Sequence, residues 1–232
     1  MTGNPADFDF DTLRVYGLDF NLGLFKGIAL EGAVTESNWS GNGQQDIFGI
    51  SDNDRRAYDL RLRVPLGRAQ LTGFYKRLGH GFDAPGSWGR IGNWINPRGI
   101  EGFGGMLEMP LGRRLVLDIE GAGYNYRAQN RAAAGGVPGS NLYHIRAGVR
   151  YPLTSRNNVD FGGELVGYSP EAAGGVKRIE RYINAGYTHQ FNPNMSMRLL
   201  YQFLSVDSSG FFESPGFDYK ANIIATQFQV RF

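Results

Sequence analysis

Along most of this chain every second residue is apolar, and the residues between them carry the charge. Tyr16, Leu18, Phe20, Leu22 and Leu24 alternate with Val15, Gly17, Asp19, Asn21 and Gly23. Tyr58, Leu60, Leu62 and Val64 alternate with Asp59, Arg61 and Arg63, and Tyr143, Ile145, Ala147, Val149 and Tyr151 with His144, Arg146, Gly148 and Arg150. Later segments repeat the pattern, ending with Ile224, Thr226, Phe228, Val230 and Phe232 against Gln227, Gln229 and Arg231. A period of two belongs to a β-strand, whose successive side chains point to opposite faces. In this register Asp19, Glu31, Asp59, Arg61, Arg63, Lys76, Glu108, Asp118, Glu120, Arg146, Arg150, Asp160, Glu164, Glu180, Arg198 and Arg231 share one face. The other face carries no charge over its central span.

The strands are punctuated regularly. Pro65-Leu66-Gly67-Arg68, Pro110-Leu111-Gly112-Arg113, Pro152-Leu153-Thr154-Ser155 and Asn192-Pro193-Asn194 read as tight turns, and Phe25-Lys26-Gly27 precedes them. Their spacing of roughly 40–45 residues is a repeat signal. Between them lie polar, glycine-rich stretches at 36–57, 78–99, 128–141, 168–177 and 206–221. Short turns at one end and long loops at the other are the pattern of an outer-membrane barrel, with the turns periplasmic.

A soluble antiparallel barrel or sandwich also alternates, with its apolar face turned inward. Three features favour the membrane. The strands run roughly 9–13 residues, the length of a tilted membrane crossing. Tyr16, Phe25, Tyr58, Tyr151, Phe191 and Phe232 lie near strand ends, as an interfacial girdle would. The polar face is too charged and glycine-rich for a packed core. With 34 glycines and 13% aromatic residues, the mean hydropathy is still only −0.33, as when every second residue faces water. The fold class expected is therefore all-β, a transmembrane antiparallel up-and-down β-barrel over residues 1–232.

No apolar run approaches the ~18–20 residues of a spanning helix. Met1–Phe10 has no secretory signal, so an exported protein would be represented here by its mature form or a portion. Strand parity points the same way. About eleven strands are readable, whereas single-chain bacterial barrels are normally even. With Phe232 periplasmic, a partner strand is absent or hidden in Met1–Asp11, and the expectation is the C-terminal portion of a longer barrel.

Two resemblances bear on identity. Gln227-Phe228-Gln229-Val230-Arg231-Phe232 resembles the C-terminal signal of bacterial outer-membrane proteins, in which alternating apolar residues end on Phe. That resemblance implies recognition by the barrel-assembly machinery through Phe228, Val230 and Phe232. Phe74-Tyr75-Lys76-Arg77-Leu78-Gly79, Gly81 through Gly89 and Gly92-Asn93-Trp94-Ile95-Asn96-Pro97 resemble a segment of S-layer-type (SlpA-like) outer-membrane proteins. The family resemblance implies a barrel tethered to the cell wall by an S-layer-homology domain and a stalk. Neither is present in these residues, so tethering does not carry over.

Chemistry is sparse. Cysteine is absent, and the three histidines, His80, His144 and His189, do not cluster. His144 could meet Asp118 or Glu164, but no serine stands beside it to complete a triad. No enzyme activity, cofactor or metal is expected. The balance of 24 basic and 22 acidic residues argues against a nucleic-acid partner and against strong ion selectivity. The candidate pore lining is Arg61, Arg63, Asp118, Glu120, Arg146, Arg150, Asp160, Glu164, Glu180, Arg198 and Arg231. Pairing across the Pro152 turn sets Arg150 opposite Asp160 and Arg146 opposite Glu164, bracing the wall. The other reading sets cations against anions across a pore as a transverse field. The loop His80–Arg98 carries Phe82, Trp88, Trp94 and Ile95, and Phe82, Trp88 and Trp94 are candidates for an inward-folded constriction. The functional expectation is a porin-like passive channel for small hydrophilic solutes in the bacterial outer membrane. The alternative is a structural envelope-anchoring barrel with a plugged lumen. Outer-membrane lipid is the expected surrounding, and a homo-oligomer is admissible.

Overall fold

The structure is a computed structural model that describes residues 12–40, 55–85, 89–92, 94–126, 140–169, 177–209 and 218–231. Its strands are β1 (Thr12–Gly23), β2 (Ala29–Ser40), β3 (Arg56–Leu66), β4 (Ala69–Leu78), β5 (Arg90–Ile91), β6 (Trp94–Ile95), β7 (Ile100–Leu111), β8 (Leu115–Tyr126), β9 (Ser140–Pro152), β10 (Asn157–Ser169), β11 (Lys177–Asn192), β12 (Met195–Ser209) and β13 (Tyr219–Val230). Eleven form one sheet in the order β1-β2-β3-β4-β7-β8-β9-β10-β11-β12-β13, each antiparallel to its neighbour in sequence around the sheet. β5 and β6 make a separate two-stranded ribbon inside the β4–β7 connection. The all-β, up-and-down antiparallel architecture is as expected.

The turns form where proline and glycine punctuate. In the β3–β4 hairpin Leu66 faces Ala69, leaving Gly67 and Arg68 as a two-residue loop. Gly67 has φ of 64°, a positive value at the first central position, as a type II′ turn requires. In the β7–β8 hairpin Leu111 faces Leu115, so the loop is three residues, and Gly112 opens it with φ of 68°. At the β9–β10 turn, which lacks glycine, the Thr154 hydroxyl accepts hydrogen bonds from the backbone N–H groups of Arg156 and Asn157.

The register keeps the two faces separate. Asp160 faces Arg150, and Glu164 faces Arg146, as the turn position dictates. The opposite face presents Leu18 at 72% exposure, Phe103 at 69%, Phe161 at 58% and Ile224 at 75%. That is a continuous apolar surface around the sheet, far larger than a water-facing protein normally shows.

The sheet curls toward its charged face. Asp83 donates its backbone N–H to Ser37 Oγ on β2, while Gly92 donates to Glu164 on β10, 3.2 Å away. Nine residues span at most about 30 Å fully extended. A flat sheet at ~4.8 Å per strand would set β2 and β10 about that far apart with no slack for folding in between. Buried side chains on the charged face from β4 through β12 also meet in one cluster, which only a concave surface allows.

Three expectations are corrected. β11 and β12 run 16 and 15 residues, longer than read, because their hairpin ladder continues past the apolar band into the polar stretch where Arg181 pairs with Asp207. Closure into a barrel is not formed among the described residues, since β1 and β13 are the two edges of the sheet. The charged face also carries a packed apolar cluster at its long-loop end. Phe232 and Met1–Asp11 lie outside the described residues, as does any strand expected there.

The apolar face generates a direct test. Ile145→Arg, at mid-strand on that face, should lower unfolding free energy in lipid by about 2–4 kcal/mol. Asn184→Lys, on the charged face, should change it by less than about 0.5 kcal/mol. Denaturant titration of vesicle-folded protein reads both.

Candidate functional site

The charged face is a band of ion pairs within strands and between strands one or two places apart. On β2 and β3, Arg63 meets Glu31 at 3.0 Å and Arg61 meets Asp59 at 2.8 Å. Arg146 meets Glu120 at 3.2 Å across β9 and β8. Arg150 lies 3.6 Å from Asp118 and 3.3 Å from Glu108, and Arg198 lies 2.9 Å from Asp160. Register therefore brings Arg150 and Asp160 opposite each other, but their side chains reach to different neighbours. Cations and anions alternate around the wall. The transverse arrangement, with one sign on each side, is not what the structure has, because these guanidinium groups meet carboxylates on their own strand or one or two strands away.

These residues border an open cleft of about 990 Å³, lined by Glu108, Asp118, Arg146, Arg150, Asp160, Glu164 and Arg198 of the expected set or beside it, together with Arg90, Arg113 and Arg114. Arg61 lies in a separate cleft of about 420 Å³ with Asp19, Glu31 and Asp59. Arg231 borders a third, of about 170 Å³, with Ser196 and Gln229 near the short turns.

Above the main cleft, the connection between β4 and β7 lies across the concave face. Phe82 is 3% exposed and Ile91 7%, packed with Leu78, Tyr124, Leu142, Val166, Tyr182, Leu204 and Val206. Polar groups fix the same segment. The Gly92 N–H donates to Glu164, and the Arg90 guanidinium stands 3.6 Å from Glu164 and 5.8 Å from the centre of the Tyr182 ring. Glu164 also lies 3.3 Å from His144 Nε2, and His144 Nδ1 is 3.8 Å from Glu120. The Tyr182 hydroxyl donates to Glu180 at 2.6 Å, and the Glu180 carboxylate also meets Arg178 at 2.8 Å. A Cβ added at Gly92 would collide with the Glu180 carboxylate, so the loop approaches there by having no side chain.

Of the constriction candidates, Phe82 is buried in this seat and Trp94 packs partly buried against it. Ile95 points away and is 65% exposed. Trp88 lies outside the described residues. Glu164 and Glu180 are buried under the loop, with side chains 8% and 9% exposed, and act as anchors for it more than as open lining. His144 meets Glu164, as sequence allowed, and Glu120 in place of Asp118. The apolar seat was missed from sequence. Its signal is the pairs Leu142-Tyr143, Leu165-Val166, Tyr182-Ile183 and Phe203-Leu204, where two apolar residues in succession make both faces apolar.

By overall shape the chain is similar to OmpT (in-vitro folded), an outer membrane protein of Vibrio cholerae. The TM-score is 0.47 at 12% identity, over 92% of this chain and 88% of that one. At that identity no residue role transfers from it. No family model and no curated protein matches the chain.

The seat predicts local behaviour. Phe82→Ala removes a buried aromatic side chain and should weaken loop docking by about 3 kcal/mol. Amide exchange across residues 79–92 should then accelerate on the order of 100-fold, with the β7–β10 amides unchanged.

Proposed function

We propose that this protein forms the wall of an outer-membrane β-barrel through which small hydrophilic solutes diffuse passively. The observation carrying this reading is the pairing of faces: a continuous exposed apolar surface outside and an ion-paired cleft of about 990 Å³ inside. Such a surface suits hydrocarbon, and such a cleft suits water and polar solutes. The seated loop narrows the passage at the long-loop end. No catalytic role, cofactor or nucleic-acid partner belongs to this reading. Insertion through the assembly machinery by the Phe228–Phe232 strand does belong to it.

The second reading, a structural envelope barrel, is favoured by one specific observation. Phe82, Ile91 and their apolar seat close much of the concave face at one end. The resemblance of residues 74–97 to S-layer-type proteins belongs with it, and covers the same loop.

Planar-bilayer recording separates the two. Protein extracted from outer membranes should give discrete, ohmic channels, and deletion of Gly81–Asn96 should raise their conductance. An inserted protein that never conducts, with or without the deletion, supports the structural barrel. Conductance unchanged by the deletion removes the constriction role from the loop.

A further inference from the structure

We propose that the short-turn mouth of this surface recruits anions, and that the solutes it passes preferentially are small anions bearing carboxylate or phosphate groups. The inference rests on the channel reading above and names its substrate class.

Total charge conceals the arrangement. On the inner wall the charges cancel locally, since Arg63, Arg146, Arg150 and Arg198 each stand within ion-pair distance of a carboxylate. Paired charges of opposite sign present a weak field a few ångströms away. What remains is at the rim. The turns joining β1–β2, β3–β4, β7–β8 and β9–β10 carry Lys26, Arg68, Arg113, Arg114 and Arg156, and no short turn contains Asp or Glu. All five of these cations are exposed. Arg113 and Arg114 border the main cleft, and neither has a carboxylate within ion-pair distance among the described residues. Arg68 donates to the Gly112 carbonyl at 2.7 Å, which holds a third guanidinium against the turn that bears those two. At the opposite end carboxylates are present and engaged, Asp83 with Arg98 at 2.9 Å and Asp207 with Arg181.

The chemistry follows from guanidinium itself. It is always charged, and its planar fork of N–H donors matches carboxylate and phosphate oxygens two at a time. A ring of like charge around a low-dielectric mouth raises the local concentration of counter-ions entering it. An exposed rim of this kind is screened by salt, with a Debye length of about 10 Å at 0.1 M and 3 Å at 1 M.

The test is reversal-potential measurement in bilayers of phosphatidylcholine, which carries no net charge and so supplies no anionic headgroup to the rim. Under an approximately tenfold KCl gradient, the protein should favour chloride over potassium by about threefold. Acetate and phosphate gradients should show the same sign. R113Q/R114Q should bring the ratio close to one, as should raising the mean salt toward 1 M. A conducting channel without anion preference, or one whose preference survives both the substitutions and the salt, overturns this inference and leaves the channel standing. Absence of conductance overturns both. If the double variant fails to insert, the salt series on the unsubstituted protein decides alone. A rim that alters insertion into anionic lipid while leaving permeation unselective is a lipid contact, and also overturns the proposal.

Discussion

The antiparallel ladder can hold only one register without destroying the two faces. Side chains alternate with a period of two, so a slip of one residue would move every Leu, Ile and Phe of the outer surface inward and every Arg and Asp outward. Hydrogen bonds alone do not forbid such a slip, because backbone groups are indifferent to it. The side chains forbid it, from both sides of the sheet. Outside, an apolar surface can tolerate no charge near its centre. Inside, Arg146 and Arg150 reach carboxylates on β8 while Arg198 reaches Asp160 on β10, so one pattern of pairs ties successive hairpins into a common register. The tight turns set that register locally, with Gly67 and Gly112 supplying the positive φ that fixes loop length.

This explains which parts of the molecule were legible. Strand number, turn positions, facing pairs such as Asp160–Arg150 and the sorting of charge to one face all follow from local spacing, and local spacing is written in sequence. The seat for the β4–β7 loop is different in kind. It brings side chains from β4 through β12 into contact with Phe82 and Ile91, residues distant along the chain and adjacent only once the sheet curls. A reading based on period sees Tyr182-Ile183 or Phe203-Leu204 as a lapse in alternation. In three dimensions those lapses mark where the inner wall turns apolar. The ion pairs show the same limit at smaller scale: register gave the facing residues, but long arginine side chains choose among several carboxylates, and Arg150 reaches Asp118 and Glu108 in preference to Asp160.

The loop seat and the charged wall also depend on each other. Glu164 is buried at 8% exposure and meets His144, Arg90 and the Gly92 N–H. A buried carboxylate without such partners would carry a desolvation penalty of several kcal/mol. The loop supplies part of that solvation, and Phe82 and Ile91 hold the loop in place by apolar contact. Losing either side exposes the other, so the loop is more than a loose cover. It is the element that adds a packed apolar seat to one end of a wall of paired charges.

The remaining constraint lies at the edges. β1 and β13 each present a row of ladder groups with no strand beside them among the described residues. In water such edges invite pairing, and in hydrocarbon unsatisfied N–H and C=O groups cost several kcal/mol apiece. In a sheet of eleven alternating strands the two edge strands run the same way, from the long-loop end to the short turns. If they meet directly, their ladder must be parallel, with slanted hydrogen bonds unlike every other pair in the sheet. If the ladder is to stay antiparallel throughout, something running the other way must lie between them. The outward residues of β13, from Ile224 to Val230, and of β1, from Tyr16 to Leu22, already carry the apolar pattern that either arrangement in a membrane demands. Closure, then, is limited by strand direction and not by the chemistry of the faces.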